Sequence, residues 1–216
     1  MASPPPDDAP AFETATGNDL ARRYSAVRAA SERLTASLSP EDQQVQSMPD
    51  ASPTKWHLGH VTWFFETFLL VPHLSGYEVF DPDFGYLFNS YYEAVGERHP
   101  RPARGLLTRP PLTRILAWRY HVDEAMARLL REAHPDLLPL IELGLAHEEQ
   151  HQELILMDIL HLFAQSPLKP AWGPPPPPAA DPGPMSFHRF EGGVVEIGAD
   201  GEAFAFDNET PRHRTF

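Results

Sequence analysis

The most constraining feature of the sequence is the segment from Ser52 to Val71, SPTKWHLGHVTWFFETFLLV, which is apolar around most of a helical circumference. Ser52 followed by Pro53 is a typical helix start, because serine caps free N–H groups and proline fits the first helical position. A helix that is apolar on nearly all sides must be buried. The segment therefore predicts a central helix with other helices packed around it.

Three further segments repeat apolar residues at the spacings of three and four that are typical of amphipathic helices. They cover residues 20–38, 112–133 and 135–165. Four helices of these lengths fit an antiparallel bundle, whose core positions often hold metal ions. We therefore predict an all-α fold, a four-helix bundle over residues 18–165.

Proline is distributed unevenly outside these helices. Of the 25 prolines, four fall in the first ten residues and nine fall between Pro167 and Pro184. This pattern predicts a disordered arm over residues 1–17 and a proline-rich linker over residues 166–184. Residues 185–216 contain β-like runs that predict a hairpin around Gly192-Gly193, but so short a segment cannot bury a core of its own. We expect it to be the start of an incomplete second domain.

The charge and composition exclude several classes of protein. The formal net charge of −13 disfavours binding to the phosphate backbone of nucleic acids. The chain has no cysteine, which excludes disulfides, thiolate metal sites and a cysteine nucleophile. It begins without a signal peptide pattern, and no apolar run approaches the roughly 18 residues of a membrane helix. We expect a soluble, cytoplasmic protein without nucleic-acid or membrane partners.

Two histidines in the fourth predicted helix have the spacing of metal ligands. His147 and His151 are four residues apart, so their imidazoles project from one face of the helix. This arrangement allows both to bind one ion, although it also occurs where two histidines face solvent. Gln150 lies within one turn of His147, where its amide either contacts a bound ligand or faces solvent.

A third ligand is predicted from the central helix, where an unpaired imidazole is costly to bury. His60 and His57 are both candidates, and the small Gly59 would allow a close approach beside His60. His57 is alternatively a polar neighbour or a hydrogen-bond donor to a ligand. Three histidines leave coordination positions open for substrate or oxygen, and all-nitrogen ligation suits Fe(II), Zn(II), Ni(II) or Cu(II).

Residues 147–151 read HEEQH, which matches two other metalloenzyme motifs. H-E-x-x-H is the zinc protease pattern, in which Glu148 would act as general base. Such a protease needs a further ligand, and His161 lies too far along the same helix. Glu148-x-x-His151 is half of the di-iron bundle signature, but the other predicted helices contain no second copy.

The irregular stretch between Pro72 and Pro111 is predicted to be functional, because long loops inside a compact domain usually are. Arg98, Arg101 and Arg104 occur there at every third position. A guanidinium group binds a carboxylate through two hydrogen bonds. The three arginines therefore predict a clamp for a substrate carboxylate, with an ordinary solvated surface as the alternative.

Three segments, in this order along the chain, resemble the DinB-like N-terminal domain of the sulfoxide synthases of ergothioneine biosynthesis. They are SPTKWHLGHVTWFFETFLL, LFNSYYEAVGERHPRPARGLLTRP and LAHEEQHQELILMDILH. The segment FAFDNETPRH resembles the opening of the C-terminal domain of these enzymes, which has the C-type-lectin-like fold of formylglycine-generating enzymes. The resemblance covers nearly the whole chain from about Asp19 onward.

The resemblance implies a mononuclear non-haem Fe(II) held by His60, His147 and His151, with His57 as a neighbour. It implies an enzyme that uses O2 to join the sulfur of γ-glutamylcysteine, or of cysteine, to the imidazole C2 of hercynine as a sulfoxide. Gln150 matches a glutamine that contacts hercynine. The stretch with Arg98, Arg101 and Arg104 matches the region that binds the carboxylates of the thiol, without deciding which two arginines do so.

In the resembling enzymes the C-terminal domain supplies a tyrosine that donates a proton during sulfoxidation. Tyr91 and Tyr92 belong to a different motif and are not substitutes for it. We therefore expect the chain by itself to bind metal and to catalyse weakly or not at all, with a separate chain as a possible source of the second domain. The alternatives are a DinB-type thiol transferase, a synthase of the selenium analogue, and a non-catalytic metal-binding remnant.

Overall fold

The computed structural model describes residues 17–90, 96–175, 177, 181–201 and 204–216. These residues belong to two compact units, Gly17–Pro175 and the described part of Pro176–Phe216. The first unit is helical, and the second contains a two-stranded sheet. The prediction of a helical domain followed by a short β segment is confirmed. The predicted arm lies, except for Gly17, outside the described residues.

The described part of the first unit contains six helices. They are α1 (Gly17–Thr35), α2 (Thr54–Phe65), α3 (Val71–His73), α4 (Phe84–Phe88), α5 (Leu112–Arg131) and α6 (Leu138–Gln165). The four long helices, α1, α2, α5 and α6, overlap the four predicted segments, although α1 begins and ends about three residues earlier than predicted and α2 ends at Phe65 instead of Val71. A π-helical segment, Glu66–Leu70, joins α2 to α3, where Pro72 lacks the N–H that a regular helix needs.

Helices α1 and α2 each pack against both α5 and α6, so that the four long helices alternate around one core. Every residue of α2 is buried, as its apolar circumference predicts. Gly144 of α6 makes this packing possible, because a Cβ at this position would lie 2.8 Å from the Phe65 ring and 2.9 Å from the Phe64 ring. The close contact between α2 and α6 brings their histidines within reach of each other.

A buried ionic cluster links α1, α5 and α6. It lies on the face of α6 that points away from the histidines. The Glu148 carboxylate accepts hydrogen bonds from Arg28 of α1 at 2.9 Å and from Arg119 of α5 at 3.1 Å. The Ser31 hydroxyl of α1 donates to the same carboxylate at 2.6 Å. Arg28 also donates to Asp123 of α5 at 2.7 Å. Each charged group in the cluster therefore has an opposite charge as its partner.

The Glu148 carboxylate is held in its charged form by this cluster. Burial by itself would raise its pKa, but the Arg28 and Arg119 guanidinium groups and the Ser31 hydroxyl together lower the pKa to about 2. Such a buried ion pair is costly to break, because removal of one partner leaves the other charge without compensation. Removal of any one charged partner is therefore expected to destabilise the contacts of α6 with α1 and α5.

Residues 101–110, which precede α5, are anchored by side chains from elsewhere in the chain. The Lys55 ammonium of α2 donates to the carbonyl oxygens of Leu107 at 2.7 Å and Pro110 at 2.9 Å. The Gln46 side chain accepts from the Gly105 N–H at 2.7 Å and donates to the Arg101 carbonyl at 2.9 Å. These contacts place the 3-10 turn Arg101–Leu106 beside the start of α2.

The second unit corrects one prediction. Its sheet pairs β1 (Val195–Ile197) with β2 (His213–Thr215) in antiparallel register, with Glu196 opposite Arg214. The hairpin predicted around Gly192-Gly193 is wrong, because β1 pairs with a strand that follows it by more than a dozen residues. A local pattern of β-like residues does not specify which strand is the partner.

Part of the predicted linker packs on the helical unit. The Trp172 indole N–H donates to the Leu34 carbonyl of α1 at 3.0 Å, and its ring lies against a cluster of Leu38, Ile159 and Phe163. In the described ranges, none of the helices has the length and apolar character needed to cross a membrane.

Candidate metal centre

Three histidine side chains meet between α2 and α6. His60 lies on α2, and His147 and His151 lie one turn apart on α6. Each offers a ring nitrogen, and these three atoms all lie within 4.8 Å of one another. His60 and His151 are buried, whereas His147 is half-buried. The structure thus brings together the three histidines that the sequence predicts as ligands.

The close approach of α4 to α2 fixes the position of His60. Gly59 has no side chain, and a Cβ at this position would lie 2.4 Å from the Phe88 ring. The Phe88 ring occupies that space. The backbone carbonyl oxygen of Phe88 lies 2.7 Å from His60 Nδ1 and accepts a hydrogen bond from it. The Nδ1 atom therefore carries the hydrogen, and the lone pair of His60 is on Nε2.

His151 is held by a second histidine and a carboxylate. Nδ1 of His151 lies 2.8 Å from Nδ1 of His57, and Nε2 of His57 lies 3.0 Å from Oδ2 of Asp158. The Ser52 backbone N–H donates to the same carboxylate oxygen at 2.8 Å. His57, which is 2% exposed, is therefore hydrogen-bonded on both sides and stands next to the three-histidine group.

All three histidines of the group are neutral at neutral pH. Burial lowers the pKa of His147 to about 4, and burial together with the neighbouring histidines holds the pKa values of His60 and His151 well below their ordinary value. Neutral imidazole is the form that binds a metal ion.

One ring nitrogen of the group has no partner within the described residues. Nδ1 of His147 is buried and makes no hydrogen bond there. An unsatisfied buried nitrogen is costly, and a metal ion bound at the histidine group is one way to satisfy it. The three neutral imidazoles therefore fit a divalent transition metal, with His60, His147 and His151 as the ligands.

Aromatic and cationic groups are stacked on one side of His60. The Trp56 ring is nearly parallel to the His60 ring, with centroids 4.7 Å apart. On Trp56 lies the guanidinium of Arg104, whose central carbon is 3.3 Å from the ring centroid. Arg104 is only 4% exposed and donates to the Ser52 hydroxyl at 2.9 Å. A fixed positive charge thus stands close to the histidine group.

A cavity of about 320 Å³ opens onto the three histidines, which is large enough for a small metabolite. Its described lining consists of Ser52, Trp56, His57, His60, Ser90, Arg101, Arg104, His147, Gln150, His151 and Leu154. This lining includes two arginines and no acidic residue, although the whole chain has a net charge of −13. The cavity therefore favours an anionic ligand.

The structure brings some of the predicted substrate residues to this cavity. Arg101, Arg104 and Gln150 line it. Arg98 does not belong to its described lining and donates instead to the Ser90 carbonyl at 2.6 Å. Tyr91 and Tyr92 lie outside the described residues.

Sequence reasoning missed the roles of Trp56 and Asp158. The signal was available in the spacing, because Trp56 precedes His60 by one turn of α2, and Asp158 follows His151 by two turns of α6. Residues at these spacings lie on one helical face. A carboxylate two turns after His151 therefore indicates a hydrogen-bond partner for the histidines of the site.

Glu148 does not face the three histidines, which excludes its role as the general base of a zinc protease. Its carboxylate is fully buried and is occupied by Arg28 and Arg119. A general base needs a free oxygen near the reacting water. In the H-E-x-x-H match at residues 147–151, the two histidines therefore lie on the helix face toward α2, whereas Glu148 lies on the face toward α1 and α5.

The family model of the DinB superfamily matches residues 23–155, which is more than half of the chain and includes the three histidines. A search of curated proteins gave no match.

Proposed function

Because the chain belongs to the DinB superfamily, whose members are metal-dependent, we propose that its three histidines hold one Fe(II) ion for oxidative joining of a thiol to hercynine. The proposed activity is that of a sulfoxide synthase of ergothioneine biosynthesis. Its substrates are hercynine, O2, and γ-glutamylcysteine or cysteine. The three sequence segments that resemble these enzymes contain all of the described cavity lining.

The proposed reaction is balanced without a further reductant. The S–H bond of the thiol and the C2–H bond of the hercynine imidazole break, and a C–S bond forms. One oxygen atom of O2 enters the sulfoxide, and the other leaves as water with the two released hydrogens. The thiol and the imidazole together lose four electrons, which reduce O2.

When bound, the metal would supply the redox chemistry between the thiol and O2. The residues of the chain bind and orient the organic substrates. Arg101 and Arg104 are proposed to bind the carboxylates of the thiol substrate, and the Gln150 amide to hydrogen-bond hercynine. Holding the two substrates in one cavity replaces a bimolecular encounter with a local one.

One observation carries the proposal. The buried Arg104 guanidinium and the three histidines line the same cavity, and the described lining contains no acidic residue. A substrate that fits this arrangement combines a metal-binding group with a carboxylate. Amino acid and dipeptide thiols have both groups.

The test is an assay of the Fe(II)-loaded protein with hercynine and γ-glutamylcysteine, in air and without oxygen. We expect a sulfoxide adduct, detected by mass spectrometry, that requires both substrates and O2. In the resembling enzymes the proton-donating tyrosine belongs to the C-terminal domain, so turnover has a requirement beyond binding of the substrates at the metal. Thiol binding to the Co(II)-loaded protein, measured as a sulfur-to-metal charge-transfer band, is therefore recorded beside it.

The alternatives predict different results in this assay. A thiol transferase would consume the thiol without O2 and without hercynine. A synthase of the selenium analogue would form an adduct when a selenosugar replaces γ-glutamylcysteine, and would give neither an adduct nor the charge-transfer band with γ-glutamylcysteine. A metal-binding remnant would bind Co(II) without either response. Absence of both adduct and charge-transfer band would contradict the proposal.

Replacement of Arg104 by glutamine is expected to weaken binding of γ-glutamylcysteine to the Co(II)-loaded protein by about 10- to 100-fold. Charge-assisted hydrogen bonds contribute about 1.5–3 kcal/mol, and glutamine has no charge to supply them. The dissociation constant is measured from the charge-transfer band during titration with the thiol.

The matched control is Arg128→Gln, which removes the charge of an exposed arginine on α5. We expect this variant to bind the thiol as the unmodified protein does. If both variants lose the same affinity, the effect comes from overall charge, and Arg104 has no direct role in binding.

A further inference from the structure

We infer that Asp158 and His57 are positioning residues of the metal centre, which hold His151 so that its Nε2 atom binds the metal. The inference rests on the proposed function only in that the three histidines bind a metal ion. His57 lines the cavity, Asp158 lies behind it, and neither residue belongs to the three-histidine group.

The hydrogen bonds determine which nitrogen carries each hydrogen. The Asp158 carboxylate is an acceptor, so Nε2 of His57, at 3.0 Å from it, donates. A neutral His57 then has its lone pair on Nδ1. The facing Nδ1 of His151, at 2.8 Å, must donate to this lone pair. The remaining lone pair of His151 is on Nε2, which leaves this atom free to bind the metal.

The Asp158 carboxylate, at the end of this series of hydrogen bonds, is itself held in place. Oδ2 of Asp158 accepts from both His57 and the backbone N–H of Ser52, which lies two residues before α2. Asp158 and His57 are 6% and 2% exposed. Their arrangement therefore depends on the packing of α2 against α6, the same contact that brings the three histidines together.

The burial of His57 and Asp158 argues for a role beyond packing. Apolar side chains of similar size would fill this space without the desolvation cost of a carboxylate and an imidazole. Partners that orient a ligating histidine commonly include a carboxylate, which fixes the ring and increases the basicity of the bound nitrogen. Here the carboxylate reaches His151 through a second imidazole.

The three histidine ligands differ in the group to which each is hydrogen-bonded. His60 donates to a backbone carbonyl, and Nδ1 of His147 has no hydrogen-bond partner in the described part of the chain. His151 therefore is the ligand whose orientation depends on replaceable side chains. This makes the inference accessible to mutation.

The test compares His57→Asn, His57→Gln and Asp158→Asn. The asparagine oxygen at residue 57 takes the place of Nδ1 and can accept from His151, whereas the longer glutamine reaches toward Asp158 and loses the contact with His151. Co(II) affinity and the visible Co(II) spectrum are measured for each variant. The hydrogen on the His151 ring is located by ¹⁵N NMR of the Zn(II)-loaded protein.

We expect His57→Gln to weaken Co(II) binding by about 10- to 100-fold, the range found when an outer partner of a ligand is lost. His57→Asn should recover most of this loss, and Asp158→Asn should weaken binding by about tenfold. The NMR spectrum should show the hydrogen on Nδ1 of His151 in the unmodified protein and in His57→Asn. In His57→Gln this hydrogen has no acceptor at residue 57, so its signal should shift or broaden.

The matched control is His161→Asn on α6, since His161 is hydrogen-bonded to Ser47 at 2.7 Å and does not belong to the three-histidine group. It should bind Co(II) as the unmodified protein does. Circular dichroism shows which variants fold, and Asp158→Asn, which keeps the shape of the side chain, decides the matter if a His57 variant does not fold.

Two results would overturn the inference while leaving the proposed function intact. One is unchanged Co(II) affinity and spectrum in His57→Gln and Asp158→Asn. The other is a His57→Asn protein as weak as His57→Gln, which would show that packing and not the hydrogen bond matters. If the unmodified protein fails to bind Co(II) with one ion per chain, the inference and the proposed function fail together.

Discussion

Replacement of His60 by alanine is expected to weaken the binding of Fe(II) or Co(II) by more than about 100-fold. Loss of an outer partner of a ligand costs about 10- to 100-fold, and loss of the ligand itself removes a metal–nitrogen bond. His60 is the one member of the group that lies on α2. Without it, two histidines of one helix remain, and they do not enclose an ion.

The measurement is a competition titration with a metal-sensitive dye, combined with metal analysis after dialysis. His161→Ala serves as the control, because it removes a histidine of α6 that lies outside the group. A His60→Ala protein that binds Co(II) as tightly as the control would contradict the three-histidine centre. It would favour a site on α6 that needs no ligand from α2.

Replacement of Glu148 by glutamine is expected to destabilise the protein by about 3–5 kcal/mol, the cost of breaking a buried ion pair by removal of one partner. Glutamine keeps the shape of the side chain but leaves Arg28 and Arg119 with less compensating charge. The loss is measured as the change in the free energy of unfolding in urea or guanidinium chloride.

Acid unfolding provides a second measurement of the same effect. The pKa of Glu148 falls from 4.5 to about 2 on folding, so the charged carboxylate stabilises the protein above pH 4.5. This contribution is lost as the pH falls from 4.5 toward 2. In Glu148→Gln that part of the acid dependence should be absent.

The adjacent residue offers a matched control for this substitution. Glu149 is exposed and forms an ion pair with Arg23 on the surface. Glu149→Gln should cost no more than about 1 kcal/mol, as expected for an exposed pair. If Glu148→Gln unfolds with the stability of Glu149→Gln, the buried cluster contributes little to folding.

His60→Ala and Glu148→Gln separate the two roles of the HEEQH segment, which are metal binding and stability. Its first and last residues, His147 and His151, face His60 of α2, whereas Glu148 faces α1 and α5. A zinc protease would lose activity in Glu148→Gln while keeping its stability. The structure predicts the reverse for this chain, loss of stability with the histidine ligands intact.

Much of the fold was predictable from local patterns. The four long helices follow from the spacing of apolar residues, and the central position of α2 follows from its apolar circumference. The hairpin around Gly192-Gly193 was not predictable in this way, because β1 pairs with a strand distant in sequence. Partner choice depends on tertiary contacts that a local pattern does not contain.

The residue pattern of the sequence by itself determined the helices, the pair His147 and His151, and the cationic stretch with Arg101 and Arg104, but it left both His60 and His57 as candidates for the third ligand. Only the tertiary structure decided between His60 and His57, because the Phe88 ring against Gly59 brings a carbonyl to His60, while Asp158 engages His57. Helical spacing specifies which residues share a face. It does not specify what that face meets, since this depends on contacts between residues far apart along the chain.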